Sequence, residues 1–240
     1  MATKASQVLN TPELLEAILL KLDIRTVISS AQLVNRQWHD LITKSPAIQQ
    51  AIFFKPIEAA DGAPLRNALL TELFPPFFGD SNKRRSVIDA FKELAMAREE
   101  RLAAFKREDA SWRRMLVQQP PVRELGKWER VSGMAGARHN FWSERYPEGL
   151  RMGELYDLVA ESEHEFRVFW GPLSDEALQG IGSRQRSWSP HQTEQLNRLA
   201  DDTEAILRLS RTVSCVRGRP ESEETLNFRR KFRFHEREKP

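Results

Sequence analysis

Residues 11–22 read TPELLEAILLKL, and IRTVISSAQLVNRQWHDLI follows at residues 24–42. Thr11 is a suitable N-cap, Pro12 suits the first helical position, and Glu13 favours the positive end of the helix dipole. Apolar side chains then recur at helical spacing along one broad face, at Leu14, Leu15, Ile18, Leu19 and Leu22. The pattern predicts an amphipathic helix that starts at Pro12.

Two more short helices are predicted after the first. The second runs from about residue 25 to residue 34, and Asn35 can cap the third, in which Trp38 faces inward. Ser45-Pro46 is expected to end the third helix, because the residue before a proline avoids the helical conformation. Three short helices cannot cover all the apolar side chains of this module, which indicates that it forms one half of an interface.

Three regions are predicted along the 240 residues. Residues 1–55 form the three-helix module, and residues 86–240 form a larger domain with helices first and a few antiparallel strands later. Residues 56–85 form a connector that contains LFPPFFGD. This connector is expected to lack regular structure and to be held in place by its phenylalanines. The predicted fold class is therefore α+β.

Periodicity predicts the elements of the larger domain. Helices are expected over residues 86–106, 110–117 and 152–161. Alternation at Phe166, Val168 and Trp170 predicts a strand. Two further segments each keep apolar residues on one parity and could pair as an antiparallel ribbon; these residues are Leu207, Leu209, Val213 and Cys215, and Phe228, Phe232 and Phe234. Residues 193–207 fit a helical period as well, and both interpretations stay open.

Composition indicates a globular protein, with 40% apolar and 30% charged residues. The 37 basic and 34 acidic residues are interleaved, which argues against nucleic acid as a partner. The single cysteine, Cys215, excludes an internal disulfide and a multi-cysteine zinc site, and its apolar neighbours indicate inert burial. Since no secretory signal and no membrane-length apolar run occur, a cytoplasmic or nuclear location without a membrane partner is expected.

Motifs for catalysis, metals and cofactors are missing from the sequence. The five histidines are scattered without metal-ligand spacing, and no GxSxG or phosphate-cradling glycine pattern occurs. We therefore expect a protein that is not an enzyme and uses no metal or cofactor. One alternative comes from FRRKFRFHEREK at residues 228–239, which could stack nucleic-acid bases on its phenylalanines. An edge strand with a buried phenylalanine face is the favoured interpretation of this segment.

The N-terminal residues resemble an F-box. The F-box pattern begins with Leu-Pro, continues as E-L-L-x-x-I-L and closes with Val-Cys-Arg/Lys-x-Trp. Here residues 13–19 read ELLEAIL and residues 34–38 read VNRQW, while Asn10-Thr11 replace the leading pair and Asn35 replaces the cysteine. ASWRRMLVQQPP at residues 110–121 and GLRMGELYDLV at residues 149–159 are similar to the C-terminal region of fungal F-box-domain proteins.

The resemblance implies an adaptor. An F-box docks on a Skp-type linker protein, which connects it to a cullin ubiquitin ligase of the SCF type, and the remaining chain presents a protein substrate for ubiquitination. The residues implied in docking, or in shaping the docking surface, are Pro12, Leu14, Leu15, Ile18, Leu19, Leu22, Val34 and Trp38. A scaffold that binds the linker without serving a ligase, and the nucleic-acid binder, stay open as alternatives.

Overall fold

The computed structural model describes residues 8–58, 63–79, 85–134, 136–162, 165–171, 189–213 and 222–234. These residues form a mixed α+β fold with twelve α-helices and two β-sheets. The coarse fold class predicted from the sequence is therefore confirmed.

Four short helices, one more than predicted, occupy residues 12–51. They are α1 (Pro12–Leu19), α2 (Ile24–Ser29), α3 (Arg36–Lys44) and α4 (Pro46–Ala51), with a 3-10 turn at Ala31–Leu33. Pro46 does not only end α3, because it also begins α4, where the Ser45 hydroxyl accepts a hydrogen bond from the Ile48 N–H at 3.1 Å. Asn35 caps α3 as expected, by accepting from the Trp38 N–H at 2.9 Å. Thr11 occupies the N-cap position of α1, but its side chain makes no capping hydrogen bond.

The predicted connector is part of the main core. A two-residue strand, β1 (Leu65–Arg66), is followed by the helices α5 (Ala68–Leu73) and α6 (Pro75–Phe78). The prediction that LFPPFFGD lacks regular structure is therefore wrong, because Pro75 takes a first-turn position where its missing N–H costs nothing. The prediction that phenylalanines hold the segment is confirmed, since Phe74, Phe77 and Phe78 are all buried.

Of the three helices predicted next, one is interrupted, one is shorter than predicted and one is confirmed. In place of one helix over residues 86–106, the chain forms α7 (Val87–Lys92), a 3-10 turn at Ala95–Ala97 and α8 (Glu99–Phe105). The helix expected over residues 110–117 shrinks to α9 (Ser111–Arg114). The helix expected over residues 152–161 is confirmed as α10 (Met152–Ser162), which buries six of its residues.

Several of these helices pack against a five-stranded mixed sheet. Its strands stand in the order β2 (Arg85–Ser86), β6 (Glu165–Trp170), β7 (Ala205–Thr212), β4 (Glu124–Gly133) and β5 (Gly136–Arg145). The β4 and β7 strands pair in parallel, while the other neighbours are antiparallel. A second, two-stranded sheet joins β1 to β3 (Gln118–Gln119). The predicted strand at Phe166 to Trp170 is confirmed, whereas the long β4–β5 hairpin was not predicted.

The antiparallel ribbon predicted for the C-terminal region is wrong, because one of its two segments is a helix. Residues 193–207 belong mostly to a helix, α11 (Pro190–Asp202), which leads into β7. The segment with Phe228 and Phe232 is also a helix, α12 (Glu223–Phe232), so it cannot pair with β7. Phenylalanines four residues apart share one helical face, and both are buried in the main core. Cys215 lies outside the described residues.

Three apolar clusters organise these elements. The main core joins α5, α6, α7, α10 and α12 to one face of the large sheet. A small N-terminal cluster is formed by α1 to α4 and the residues just after them, and includes Leu15, Leu19 and Ile42. A third cluster lies on the other face of the sheet, where Leu196 and Leu199 of α11 pack against Trp128.

The N-terminal helices are joined to the main body along α2 and the end of α4. Ile24, Ile28 and Phe54 pack against both the N-terminal cluster and the main core. The Leu116 N–H donates to the Phe53 carbonyl at 2.8 Å, and the Gln119 side chain donates to the Gln50 carbonyl at 2.8 Å. The side of the module that carries α2 is therefore already occupied within the chain.

The backbone angle at position 149 and the atoms around it both require a glycine there. Its φ of +85° is one that side chains disfavour, and an added Cβ would lie 2.4 Å from the Pro121 Cβ. We expect Gly149→Ala to lower the free energy of unfolding by about 1–3 kcal/mol. Denaturant unfolding should show little change for Gly133→Ala, because a methyl group there meets nothing within 4 Å. Equal effects of the two substitutions would contradict this expectation.

Candidate functional site

Exposed apolar side chains are concentrated at the N-terminal end of the fold. Of the thirteen large apolar residues that are exposed in the described part of the chain, eight lie between residues 8 and 34. We call these eight side chains the N-terminal apolar surface: Val8, Leu9, Leu14, Ile18, Leu20, Leu22, Leu33 and Val34. The other five are scattered through the rest of the sequence, so this surface is the strongest candidate for partner binding.

The structure divides the predicted docking residues into two groups. Leu14 is 47% exposed, Ile18 38%, Leu22 39% and Val34 58%, and Pro12 is exposed as well. Leu15 and Leu19 are buried, at 0% and 1%, in the N-terminal cluster. Trp38 is half-buried and packs against the same cluster. The exposed residues can contact a partner directly, whereas Leu15, Leu19 and Trp38 can only fix the shape of the surface.

Helix α1 presents its two groups on adjacent sides, about 100° apart around the helix axis. Leu14 and Ile18 are four residues apart and lie one above the other on the exposed side. Leu15 and Leu19 have the same spacing on the side that faces the N-terminal cluster. The apolar stripe of α1 is thus wide enough to serve the core of the module and an outer surface at once.

Two polar contacts hold the helices that carry the surface. The Gln37 side chain donates to the Asn10 carbonyl at 3.3 Å, which ties the start of α3 to the segment before α1. The Ser45 hydroxyl bonds the Glu16 carboxylate, which ties the start of α4 to the middle of α1. Val34 directly precedes the cap of α3, the helix that the first contact ties to the segment before α1.

Sequence reasoning missed part of the surface. Val8, Leu9 and Leu33 were not among the predicted docking residues, and Leu33 is the most exposed of the eight, at 77%. Leu33 and Val34 are consecutive apolar residues, and the structure places them at the end of a 3-10 turn, where both are exposed. Leu20 lies off the predicted stripe and is 40% exposed.

In the described part of the basic C-terminal segment, residues 228–234, two of the phenylalanines are buried and not available for base stacking. Phe228 and Phe232 are each only 3% exposed and contact the Phe91 ring at centroid distances of 5.4 and 5.5 Å. The Lys231 ammonium donates to the Ala97 carbonyl at 2.7 Å, and the Arg233 guanidinium donates to the Ala160 carbonyl at 3.3 Å. These aromatic rings are therefore structural, and two of the basic groups hold α12 against the body.

A group of polar and aromatic side chains lies on the sheet face that carries α11. Arg167 and Arg208 face each other across β6 and β7, and the Arg208 guanidinium lies 4.2 Å from the centre of the Trp128 ring. Trp128 donates through Nε1 to Nδ1 of His139 at 2.9 Å. This arrangement requires a neutral His139, since a protonated Nδ1 could not accept.

Burial, together with the charges of Arg130 and Arg208, lowers the pKa of His139 from 6.5 to about 4. Between these values the unfolded chain takes up a proton that the folded chain does not, so stability falls as the pH falls from about 6.5 towards about 4. Over this pH range, we expect the free energy of unfolding of the His139→Gln variant to fall less than that of the parent protein. Urea unfolding at a series of pH values measures the difference, and parallel profiles would contradict the assignment.

Comparison with known proteins identifies no relative: no protein-family model, curated protein or solved structure matches the chain. Within the described ranges, no group of three or more histidine, cysteine, aspartate or glutamate residues is placed to hold a metal ion. None of the helices in those ranges has the length and apolarity that crossing a membrane requires. The N-terminal apolar surface is therefore the feature from which a function can be inferred.

Proposed function

We propose that this protein is a non-catalytic adaptor of the F-box type. Its N-terminal apolar surface docks a Skp-type linker of a cullin ubiquitin ligase, in the cytoplasm or the nucleus, and the remaining chain presents a protein substrate for ubiquitination. The single observation that carries the proposal is the concentration of exposed aliphatic side chains on α1 and on the turn before α3. The residues proposed to contact the linker are Pro12, Leu14, Ile18, Leu22 and Val34.

The chemistry of the surface suits a helical protein partner. The eight side chains are all aliphatic, and they lie on helices and tight turns that present fixed positions. Burying a large aliphatic side chain completely contributes about 1.5–3 kcal/mol, and a side chain that is already half-covered contributes correspondingly less. Several such anchors in a groove between partner helices can offset the roughly 4–15 kcal/mol that association costs.

Packing among the described residues leaves the N-terminal apolar surface exposed. The N-terminal helices meet the main body through Ile24, Ile28 and Phe54, which belong to a different side of the module from Leu14 and Ile18. Leu15 and Leu19 already supply the core of the module. In the described part of the chain, the exposed aliphatic side chains are therefore additional to the packed clusters, which supports a role in binding another protein.

Affinity purification with mass spectrometry tests the proposal. The full chain, purified from cells with and without proteasome inhibition, is expected to recover a Skp-type linker and a cullin in both cases. A substrate of the ligase should become more abundant only when the proteasome is inhibited. Recovery of the linker without a cullin or an inhibitor-dependent protein would favour a scaffold, and absence of the linker would refute the docking proposal.

A further inference from the structure

The open edge of the large sheet carries a second interaction surface. Strand β5 is ten residues long and ends the sheet, so that in the described part of the chain it pairs with β4 alone. The opposite edge strand, β2, has only two residues. Proteins commonly protect sheet edges by shortness, proline or charged side chains; β5 is long and contains no proline, and its charged residues are Arg138, Glu144 and Arg145. The β5 edge is therefore suited to pairing with another strand.

The hairpin geometry identifies which backbone groups face that edge. Gly133 of β4 and Gly136 of β5 pair with each other on either side of the two-residue loop that joins the strands. Just beyond the other end of this strand pair, the Tyr146 N–H donates a hydrogen bond to the Arg123 carbonyl. Even-numbered residues of β5 therefore direct their N–H and C=O groups towards β4. Odd-numbered residues, such as Ser143, direct theirs outwards. Helix α11 packs on the face of the sheet, and among the described strands only β4 pairs with β5.

One pair of opposite charges in β5 is placed symmetrically about the middle of the strand. Arg138 and Glu144 lie three residues on either side of Phe141 and share one face of the strand. When two copies of β5 pair antiparallel with Phe141 opposite Phe141, each Arg138 stands opposite the Glu144 of the other copy. This register pairs odd-numbered residues with odd-numbered residues, so the outward backbone groups of the two strands also match.

An exposed tryptophan lies between the two charges. Trp142 is 43% exposed on the same face as Arg138 and Glu144. In the register centred on Phe141, the two Trp142 side chains are diagonal neighbours, a separation that aromatic side chains can bridge. Tryptophan is among the residues that contribute most to protein interfaces when it becomes buried.

We propose that this protein forms a symmetric dimer in which β5 pairs antiparallel with β5 of a second copy, to give one continuous ten-stranded sheet. The occupant of the edge is a second copy, because each Arg138 would stand opposite a Glu144 carboxylate, which also contacts the Lys127 ammonium of its own chain. This surface lies on the sheet and is separate from the N-terminal apolar surface. The dimer would therefore present two linker-docking surfaces, and neither proposal depends on the other.

Sedimentation equilibrium of the full chain, over concentrations from low to high micromolar, tests the dimer. The parent protein is expected to pass from monomer to dimer with rising concentration. Ser143→Pro removes one outward N–H and should leave the protein monomeric. Ser143→Ala is the matched control, because it removes the same hydroxyl contact to Glu124 but keeps the N–H, and should dimerise like the parent protein.

A charge reversal provides a second, independent variant. Arg138 is exposed, and Arg138→Glu places like charges opposite each other twice in the dimer. It should raise the dimer dissociation constant by about tenfold or more, while circular dichroism stays unchanged. Arg101→Glu, on α8, is the control and should leave the dissociation constant unchanged. A parent protein that stays monomeric, or a dimer insensitive to both Ser143→Pro and Arg138→Glu, would overturn the proposal.

Discussion

Replacement of Leu14 and Ile18 together by aspartate is expected to abolish binding of the Skp-type linker without unfolding the protein. Both side chains are substantially exposed in the free chain, at 47% and 38%, so a carboxylate at either position stays in water. In the docked complex the same carboxylates would lose their water without gaining a partner, which is strongly unfavourable. We expect the dissociation constant for the linker to rise by at least about a hundredfold, measured by titration calorimetry.

Two controls separate docking from folding. Leu65→Asp and Leu226→Asp place the same charge at residues that are 66% and 39% exposed but lie outside the N-terminal apolar surface, so linker binding should persist. Leu15→Asp with Leu19→Asp is the less informative pair, because both residues are buried and their replacement should unfold the module. Undiminished binding by the Leu14→Asp, Ile18→Asp protein would refute docking through α1.

Truncation of Phe77 is expected to cause the largest loss of stability. Phe77 is 1% exposed, and its ring lies 5.0 Å from the Phe166 ring and 5.8 Å from the Phe91 ring, measured between centroids. It therefore joins α6 to both α7 and β6. Phe77→Ala leaves a cavity among these aromatic rings and should lower the free energy of unfolding by about 3–5 kcal/mol, measured in guanidinium chloride.

Leu65→Ala is the matched control for Phe77→Ala. Leu65 belongs to the same predicted connector, residues 56–85, but is 66% exposed. Its replacement should change stability by no more than about 0.5 kcal/mol, because little buried surface is lost. A similarly small effect of Phe77→Ala would contradict the place of this region in the main core, and also the prediction from the sequence that its phenylalanines hold it in place.

Elements with an unambiguous period were predictable from the sequence. Residues 152–161 carry apolar side chains at helical spacing only, and they form α10. Phe166, Val168 and Trp170 alternate, and they lie in β6. Phe228 and Phe232 satisfy both periods, because a spacing of four residues fits a helix and also an alternating strand. The deciding signals were Glu223 and Glu224 at the start of α12 and basic residues at its end, which complement the helix dipole.

Other features depend on tertiary contacts that sequence patterns do not contain. Strand β4 buries four consecutive residues, from Leu125 to Trp128, because it is covered on both faces, so it shows no alternation there. The sequence placed Leu14 and Leu15 on one broad face of α1. Only the positions of α2 to α4 determine that Leu15 is covered and Leu14 is left exposed. The location of the candidate surface was therefore predictable, but its membership was not.

The order of the strands has a consequence for the synthesis of the protein on the ribosome. The N-terminal cluster uses only residues up to Phe54 and can form while the rest of the chain is still being translated. The main sheet cannot form during translation in the same way. Its β7 strand lies between β4 and β6 and pairs in parallel with β4, which precedes it by about eighty residues. The main core also needs Phe232. A nascent chain would thus display the N-terminal cluster, with the proposed docking surface, before it has a stable body, and chaperones would have most to protect in the interval between β4 and β7.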